Sequence, residues 1–378
     1  MAYNRNFESW QTICEDKLYI NYGNNSKQMI KEILQKFLPF PKLDKSSNIA
    51  LKPNLILPSP AEQGATTCPE LVKGIIEHFQ ERGFYNLLIM ESSWLGANTK
   101  EAFQVCGFTD IAEKYQVKLV DLKSFESSLF RSEIGAVEVV NQIKQIDRLI
   151  NIPVLKAHCQ TKLTCALKNL KGCIPDKEKR KFHSTDLHTN IAVLNTVVKP
   201  DLHVVDGLYG DLTFEEGGNP VNLGRVVVGK DPVLVDSYGC DLLGITEDNL
   251  PNHIESAYQM GVGDKFRGKE QLVQFNLQQK QVQQEQQVGI SSAGKKLQKY
   301  VDHREACSPC IGAVFHTLMR LQDNGELPNY TLAVGQGHKN ITSDSSVLGI
   351  GNCTQHYKLY VPGCPPSASE IIKRIKNK

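Results

Sequence analysis

The chain has 378 residues, a formal net charge of +2, and 22% charged against 40% hydrophobic residues. That balance describes an ordinary globular protein with ample core and gives no reason to expect a nucleic-acid partner. No apolar run approaches the length of about eighteen residues that crosses a membrane, and the polar stretch from Met1 to Glu8 lacks a signal-peptide core, so no membrane partner and a cytoplasmic location are expected.

From residue 17 to 265, short β-rich runs alternate with helical patterns. Leu18–Tyr22, Asn48–Leu51, Leu87–Met90, Val117–Val120, Arg148–Ile152, His203–Val205 and Arg225–Val228 read as strands. Pro69 to Arg82 reads as a helix, with Pro69 suiting its first turn and Gly83 its stop. Leu71, Ile75, Ile76 and Phe79 recur at helical spacing and would face a sheet. Such alternation predicts an α/β class: a layered, mostly parallel sheet in a main domain over residues 1–270. Residues 271–300, glutamine-rich from 274 to 287, predict a linker or an exposed helix. Residues 301–378 then form a small C-terminal α/β cysteine module. Its expected elements are a helix over 308–322, strands Tyr330–Val334, Val347–Ile350 and Tyr357–Val361, and a helix over 367–376.

Eleven cysteines without a secretory signal point to reduced thiols, so a clustered subset reads as metal ligands. Cys307 and Cys310 make a Cys-x2-Cys pair at a helix start, whereas Cys353 and Cys364 each follow a strand. Strand ends and helix starts gather on one edge of a small α/β layer, which predicts that the four converge. A [4Fe–4S] cluster is the expected cofactor, with zinc as the alternative. Zinc sites usually pair two Cys-x2-Cys knuckles, and only the first pair here has that spacing. Pro365 after Cys364 blocks helix continuation and offers no competing N–H beside the sulfur. The run from Gly363 to Pro366 resembles the proximal-cluster ligand of hydrogenase small subunits and the related quinone oxidoreductase subunit. Cys106 and Cys240, in apolar helical runs, read as small core residues.

Residues 151–181 carry eight lysines and arginines, among them Lys156, Lys168 and Lys171, against Asp176 and Glu178 alone, which suggests an anion pocket. Lys177 to Lys181 read as a solvated loop. Lys168 stands apart, since Leu163, Leu167 and Leu170 flank it with apolar surface; a lysine drawn from water can act as base or anion anchor. His158 closes an apolar run, and His183 and His188 fall near a predicted helix start. Histidine suits proton transfer near neutrality. Lys52, Asn54, Thr67, Glu91, Lys156 and Asn169 are the expected substrate-binding positions, because most follow strands or precede a helix N-terminus. Asp206 and Gly207 read as a turn, and Asp236 as a cap or ion-pair partner. The glycines from Gly217 to Gly224 lack the strand–turn–helix context of a dinucleotide site.

The motifs Leu51–Leu55, Ala65–Glu70, Pro153–His158, Leu167–Gly172, Val205–Gly207 and Gly229–Asp236 resemble the family named domain of unknown function 362, over residues 45–265. Members of that family often carry iron–sulfur cysteines, so the resemblance implies an α/β fold and a cluster. The order His158, Lys168, His183 is also similar, distantly, to the nickel-pincer lactate racemases, although this chain lacks the glycines those enzymes carry around the lysine. That likeness implies only that Lys168 and His158 face a common cleft.

The expected function is a reductase acting on a small anionic substrate. Lys168 would be the anchor or general base, His158 the proton-transfer partner and His183 an assisting group, with a redox partner protein supplying electrons. Two other readings are an electron carrier within a larger complex and a zinc-stabilised binding protein.

Overall fold

Eight strands form the central sheet of this computed structural model, which describes residues 11–40, 42–158, 160–212, 215–218, 220–280 and 296–377. In chain order they are β1 (Leu18–Tyr22), β2 (Ile49–Pro53), β3 (Leu87–Glu91), β4 (Lys118–Asp121), β5 (Arg148–Ile152), then, after a small hairpin of β6 (Lys156–His158) and β7 (Lys162–Thr164), β8 (Leu202–Asp211), β9 (Pro220–Gly229) and β10 (Leu272–Phe275). Their spatial order is β10-β1-β9-β8-β5-β2-β3-β4. Every pairing is parallel except the two made by β9.

Residue alternation along the strands splits the core in two. Leu18, Ile20 and Tyr22 of β1 join one cluster while Tyr19 joins the other. On one face lie α1 (Ser26–Lys36) and α2 (Pro69–Gln80), whose Ile30, Ile33, Leu71, Ile75 and Ile76 are fully buried. With Pro69 at its first position and a stripe of apolar side chains, α2 is the helix that its spacing predicts. The other face carries α3 (Ala166–Asn169), α4 (Asp176–Ser184), α5 (Leu187–Val197) and α6 (Pro232–Leu242). Cys106 and Cys240 are buried in these cores, as small apolar residues should be.

Four further strands make an all-parallel sheet: β11 (Val301–His303), β12 (Thr331–Val334), β13 (Val347–Ile350) and β14 (Tyr360–Val361). It packs with α7 (Ser308–Asp323) and α8 (Ala368–Lys376) around its own core of Ile311, Val314, Leu318, Leu332, Leu348 and Ile371. Asparagine and serine side chains cap α1 and α8, the latter through a reciprocal Ser367–Glu370 box.

Several expectations need correction. Leu272–Phe275 is no linker or helix but an edge strand paired with β1; its Val273 and Phe275 pack on the core, which outweighs the helix preference of the glutamines around them. Leu277–Gln279 then makes a short 3-10 turn, and residues 281–287 of the glutamine-rich run lie outside the described residues. Asp206 and Gly207 sit inside β8, with a bulge just beyond them, because the Asp206 carboxylate accepts from the backbone of Cys68 and Leu208. Lys177 to Lys181 are helical, in α4. The third strand of the small module is shorter than Tyr357–Val361, and Ser127–Arg131 with Ala136–Val140 forms a hairpin that the alternation does not reveal.

Candidate active site

Adjacent parallel strands end on one edge of the central sheet. Lys52 is the penultimate residue of β2 and Glu91 the last of β3, and they pair at 3.0 Å with both side chains buried. Lys52 Nζ also donates to Pro53 O at 3.2 Å. Gly172 permits this arrangement: a Cβ there would stand 1.9 Å from Glu91 Oε1. The glycine in the Leu167–Gly172 motif thus keeps the helix end seated on the pair.

A second layer is a chain of amides. Asn54 donates to Asn169 Oδ1 at 2.7 Å, Asn169 to Asn151 Oδ1 at 2.8 Å, and Asn151 to Ala166 O at 2.9 Å. Asp236 accepts from the backbone N–H groups of Ala166 and Leu167, which makes it the cap of α3, one of its two expected roles. Thr67 is spent on backbone, donating to Ile152 O and accepting from Asn54 N, both at 2.8 Å.

Lys168 projects from α3 and bonds Glu215 Oε1, while His158 Nε2 stands 2.9 Å from Glu215 Oε2. The His158 Nδ1 atom accepts from the backbone N–H groups of Gln160 and Thr161 at 3.1 and 3.0 Å. Those two donors assign the proton to Nε2, so His158 is a neutral donor to Glu215. Burial holds its pKa down to about 4. Burial opposes charge on Glu215 as well, but His158 and Lys168 together keep its carboxyl well below the usual range. Lys156, fully buried, donates to Ala65 O and Glu215 O, and burial lowers its pKa to about 7.

Lys171 and Lys179 complete the cluster. Lys171 Nζ lies 2.9 Å from His183 Nε2 and has no carboxylate partner among the described residues; burial and then Lys168 lower its pKa to about 7. Lys179 donates to Ser92 O, Ser92 Oγ, Ser93 O and Asp176, so its ammonium is saturated, and burial lowers its pKa to about 8. On α4, Lys179, Phe182 and His183 are buried while Lys177, Arg180 and Lys181 face solvent, as spacings of three and four dictate. His183 is the penultimate residue of α4 and His188 the second of α5; burial and Lys171 hold the pKa of His183 well below its ordinary value.

These groups surround a cleft of about 60 Å³, room for only a handful of water-sized groups. Of the expected residues, Lys168, His183, Asn54, Glu91 and Asn169 line it. His158, Lys52 and Lys156 back its walls through Glu215 and Glu91, and Thr67 braces Asn54 from behind. Glu215, Lys171 and Lys179 also line it; the two lysines belong to the cationic excess of residues 151–181 that suggests an anion pocket, whereas nothing in the sequence singled out Glu215.

The four cysteines gather as their positions predict. Cys307, Cys310, Cys353 and Cys364 line one cavity of about 300 Å³, together with Arg180, Lys339, Leu95 and Pro309. Cys307 precedes α7, Cys353 follows β13 and Cys364 follows β14. Burial, against the opposing pull of Lys171, pushes the Cys307 thiol up to about 11, and burial raises Cys310 and Cys353 too. Ligation would therefore have to expel protons. Among the described residues no three histidine, cysteine or acidic side chains are grouped so as to hold a single metal ion.

Leu95 and Pro309 line both spaces, so the cleft and the cysteine cavity share a wall. Gly96 sits in that wall at φ +86, and a Cβ there would lie 2.1 Å from Cys364 O.

The family model described as "Domain of unknown function (DUF362)" matches residues 49–241, just over half of the chain. The chain belongs to that family. The matched span holds Lys52, Glu91, His158, Lys168, His183 and Glu215, and ends before the cysteine module. A thylakoid-associated protein of Synechocystis sp. is 23% identical over 214 residues, covering 54% of this chain and 65% of its own length. The chain thus spans slightly under two thirds of that relative. Among solved structures, a lactate racemase apoprotein from Thermoanaerobacterium thermosaccharolyticum is 14% identical at a TM-score of 0.38, covering 65% of this chain and 60% of the other. A protein from Thermotoga maritima is 13% identical at 0.38, covering 63% and 60%. Likeness at that level carries no functional information. No helix among the described residues is long and apolar enough to cross a membrane.

Proposed function

We propose that this member of the family is a cytoplasmic iron–sulfur reductase whose small anionic substrate enters the Lys168 cleft. The observation that carries the reading is the shared wall: Leu95 and Pro309 line both the lysine-lined cleft and the four-cysteine cavity. Cys307, Cys310, Cys353 and Cys364 would hold a [4Fe–4S] cluster, which when bound supplies electrons one at a time. Arg180 and Lys339 beside the cysteines offset the negative charge of thiolate ligands and give an acidic redox partner a cationic rim.

The chain's own residues do the rest. Lys168 and Lys171 attract the anion, and Lys168 holds a proton at Nζ for the reacting atom. Glu215 keeps that ammonium charged and aimed, and His158 fixes the Glu215 carboxylate by donating to it. In this reading His158 is a positioning residue, where the sequence suggests a proton-transfer partner. A cleft of this size excludes bulk water, which strengthens each of these charges.

The test is anaerobic purification of the full chain. About four iron and four sulfide per chain, with broad absorption near roughly 400 nm, support the cluster; colourless protein with stoichiometric zinc overturns it. Lys168→Ala should keep the colour but stop reoxidation of the reduced protein by small carboxylate acceptors. Undiminished electron delivery to a protein acceptor by that variant, with no small acceptor found, would point to a carrier instead.

A further inference from the structure

The hairpin of Ser127–Arg131 and Ala136–Val140 lines neither the cleft nor the cysteine cavity. Val137, Val139 and Val140 of its inner strand are buried in the main core. Ser132 Oγ lies 2.7 Å from Thr196 Oγ1 of α5, and Ser128 Oγ bonds Asn141 Oδ1 at 2.6 Å, so the hairpin is fixed to the body. Its outer strand, Ser127–Arg131, is paired on one side only.

Antiparallel pairing alternates which residues spend their backbone on the neighbouring strand. Ser132 N donates to Gly135 O and Asn141 N to Glu126 O, so Ser128 and Phe130 turn their N–H and C=O groups inward. Ser127, Leu129 and Arg131 turn theirs outward, where no strand among the described residues receives them. Such an edge accepts another strand unless charge, proline or a bulge blunts it. This one has no proline and no bulge, and Arg131 is its only charge. Apolar side chains crowd the same place. Phe125, Leu129 and Ile134, at 40%, 50% and 48% exposed, are three of the seven large hydrophobic residues exposed among the described residues, which marks a contact surface.

We propose that Ser127–Arg131 is a dimer edge, at which the same strand of a second copy of this chain pairs antiparallel about Leu129. Leu129 then meets Leu129 on the two-fold axis, and Ser127 meets Arg131, with their outward backbone groups supplying the ladder. Ser128 meets Phe130, and along the strand no like charges face each other. Arg131 has no hydrogen-bond or ion-pair partner of its own among the described residues. Pairing brings it beside Ser127 of the second copy, whose hydroxyl donates to Glu138 at 2.6 Å. The ion-pair partner of that carboxylate, Lys177, is mostly exposed, so Glu138 can take the arriving guanidinium. Symmetry makes this charge match twice, which favours a second copy over an unrelated partner. A five-residue edge is small against the ~800 Å² per partner of a standard interface, so the dimer is weak, with half-association in about the micromolar range. The proposal is independent of what the cleft and the cysteine cavity bind.

Sedimentation equilibrium of the full chain from about 1 to 100 µM tests it, and the mass should pass from monomer to dimer across that range. Hydrogen exchange gives the sharper readout. The amides of Ser127, Leu129 and Arg131 should slow as concentration rises, while those of Ser128 and Phe130 are slow throughout. Leu129→Lys sets like charges against each other on the axis and should weaken association about ten-fold, and Arg131→Glu should weaken it less. Both positions are exposed, so folding should survive, which circular dichroism checks. Tyr85→Lys, at an exposed aromatic outside the hairpin, should change nothing. A monomer throughout the range overturns the proposal. So does a dimer that keeps its affinity in both hairpin variants, that weakens equally with Tyr85→Lys, or whose Leu129 amide exchanges as fast as in dilute protein.

Discussion

The lysine cleft and the cysteine cavity differ in what holds them open. Around the cleft, side chains drawn from Lys52 to Glu215 are buried and bonded to one another: Lys52 to Glu91, Lys168 and His158 to Glu215, Asn54 through Asn169 to Asn151. Around the cavity, four thiols from the last fifth of the chain are free cysteines, one of them exposed, with no bond joining them. The cleft is organised before anything enters. The cavity is shaped instead by the strand and helix ends that carry the thiols, not by bonds among the thiols themselves.

The largest expected effect tests the first half of that contrast. Glu215→Ala removes the carboxylate shared by Lys168 and His158 and leaves buried charge uncompensated, at a cost of about 3–5 kcal/mol in denaturant unfolding. A loss below about 1 kcal/mol would mean that solvent, not Glu215, serves those groups. Next in size is the cavity. Chelating iron from the anaerobic protein should remove about 2.7 kcal/mol of local stabilisation if the group is held a hundred-fold above its Kd. Hydrogen exchange in Thr331–Val334 and Val347–Ile350 should then quicken while Ile49–Pro53 and Leu87–Glu91 stay protected. Uniform quickening in both sheets would contradict the separation. Smaller still is Thr67→Val, which strands Asn54 N–H and Ile152 O behind the cleft wall; about 1–2 kcal/mol is expected. No change would show that the Asn54 wall does not depend on this latch.

The strands were readable because alternating cores demand runs of β-branched residues, and seven central strands fall where Leu18–Tyr22, Arg148–Ile152 and their like predict. The cysteines were readable because topology alone brings strand ends together. Glu215 was not: it sits beside Gly217 and Gly218 between β8 and β9, where no periodicity operates, and only the fold of that connection returns it to His158. The tandem pair Glu215 and Glu216 between two strand-like runs was the available signal. Lys179 was misjudged for a different reason. A charged run suggests water, yet helical spacing puts Lys179, Phe182 and His183 on one face, and the buried apolar Phe182 among them was the clue.

The smallest predicted effect separates the two lysines of the cleft that still have protons to give. Lys171, with a pKa lowered to about 7 by burial and by Lys168, is an ammonium below that pH and an amine above it. The ammonium form holds a carboxylate, so acetate affinity should be greatest near pH 6 and fall as pH rises through 7, by no more than about ten-fold per unit, or ~1.4 kcal/mol. A bound carboxylate stabilises the ammonium and moves the midpoint upward. Of the neighbours, His158 stays neutral above about 4 and Glu215 stays ionised, while Lys156, also near about 7, and Lys179, near about 8, are committed to Ala65 O and Glu215 O and to Ser92 and Ser93, so the Lys171 variant identifies which lysine sets the profile. Lys171→Arg remains charged across this range and should flatten the profile while preserving binding. An acetate affinity already flat from pH 6 to 8 in the unaltered chain would place the anion on Lys168 alone, and the cleft would then be as saturated on the Lys171 side as it is at Lys52 and Lys179.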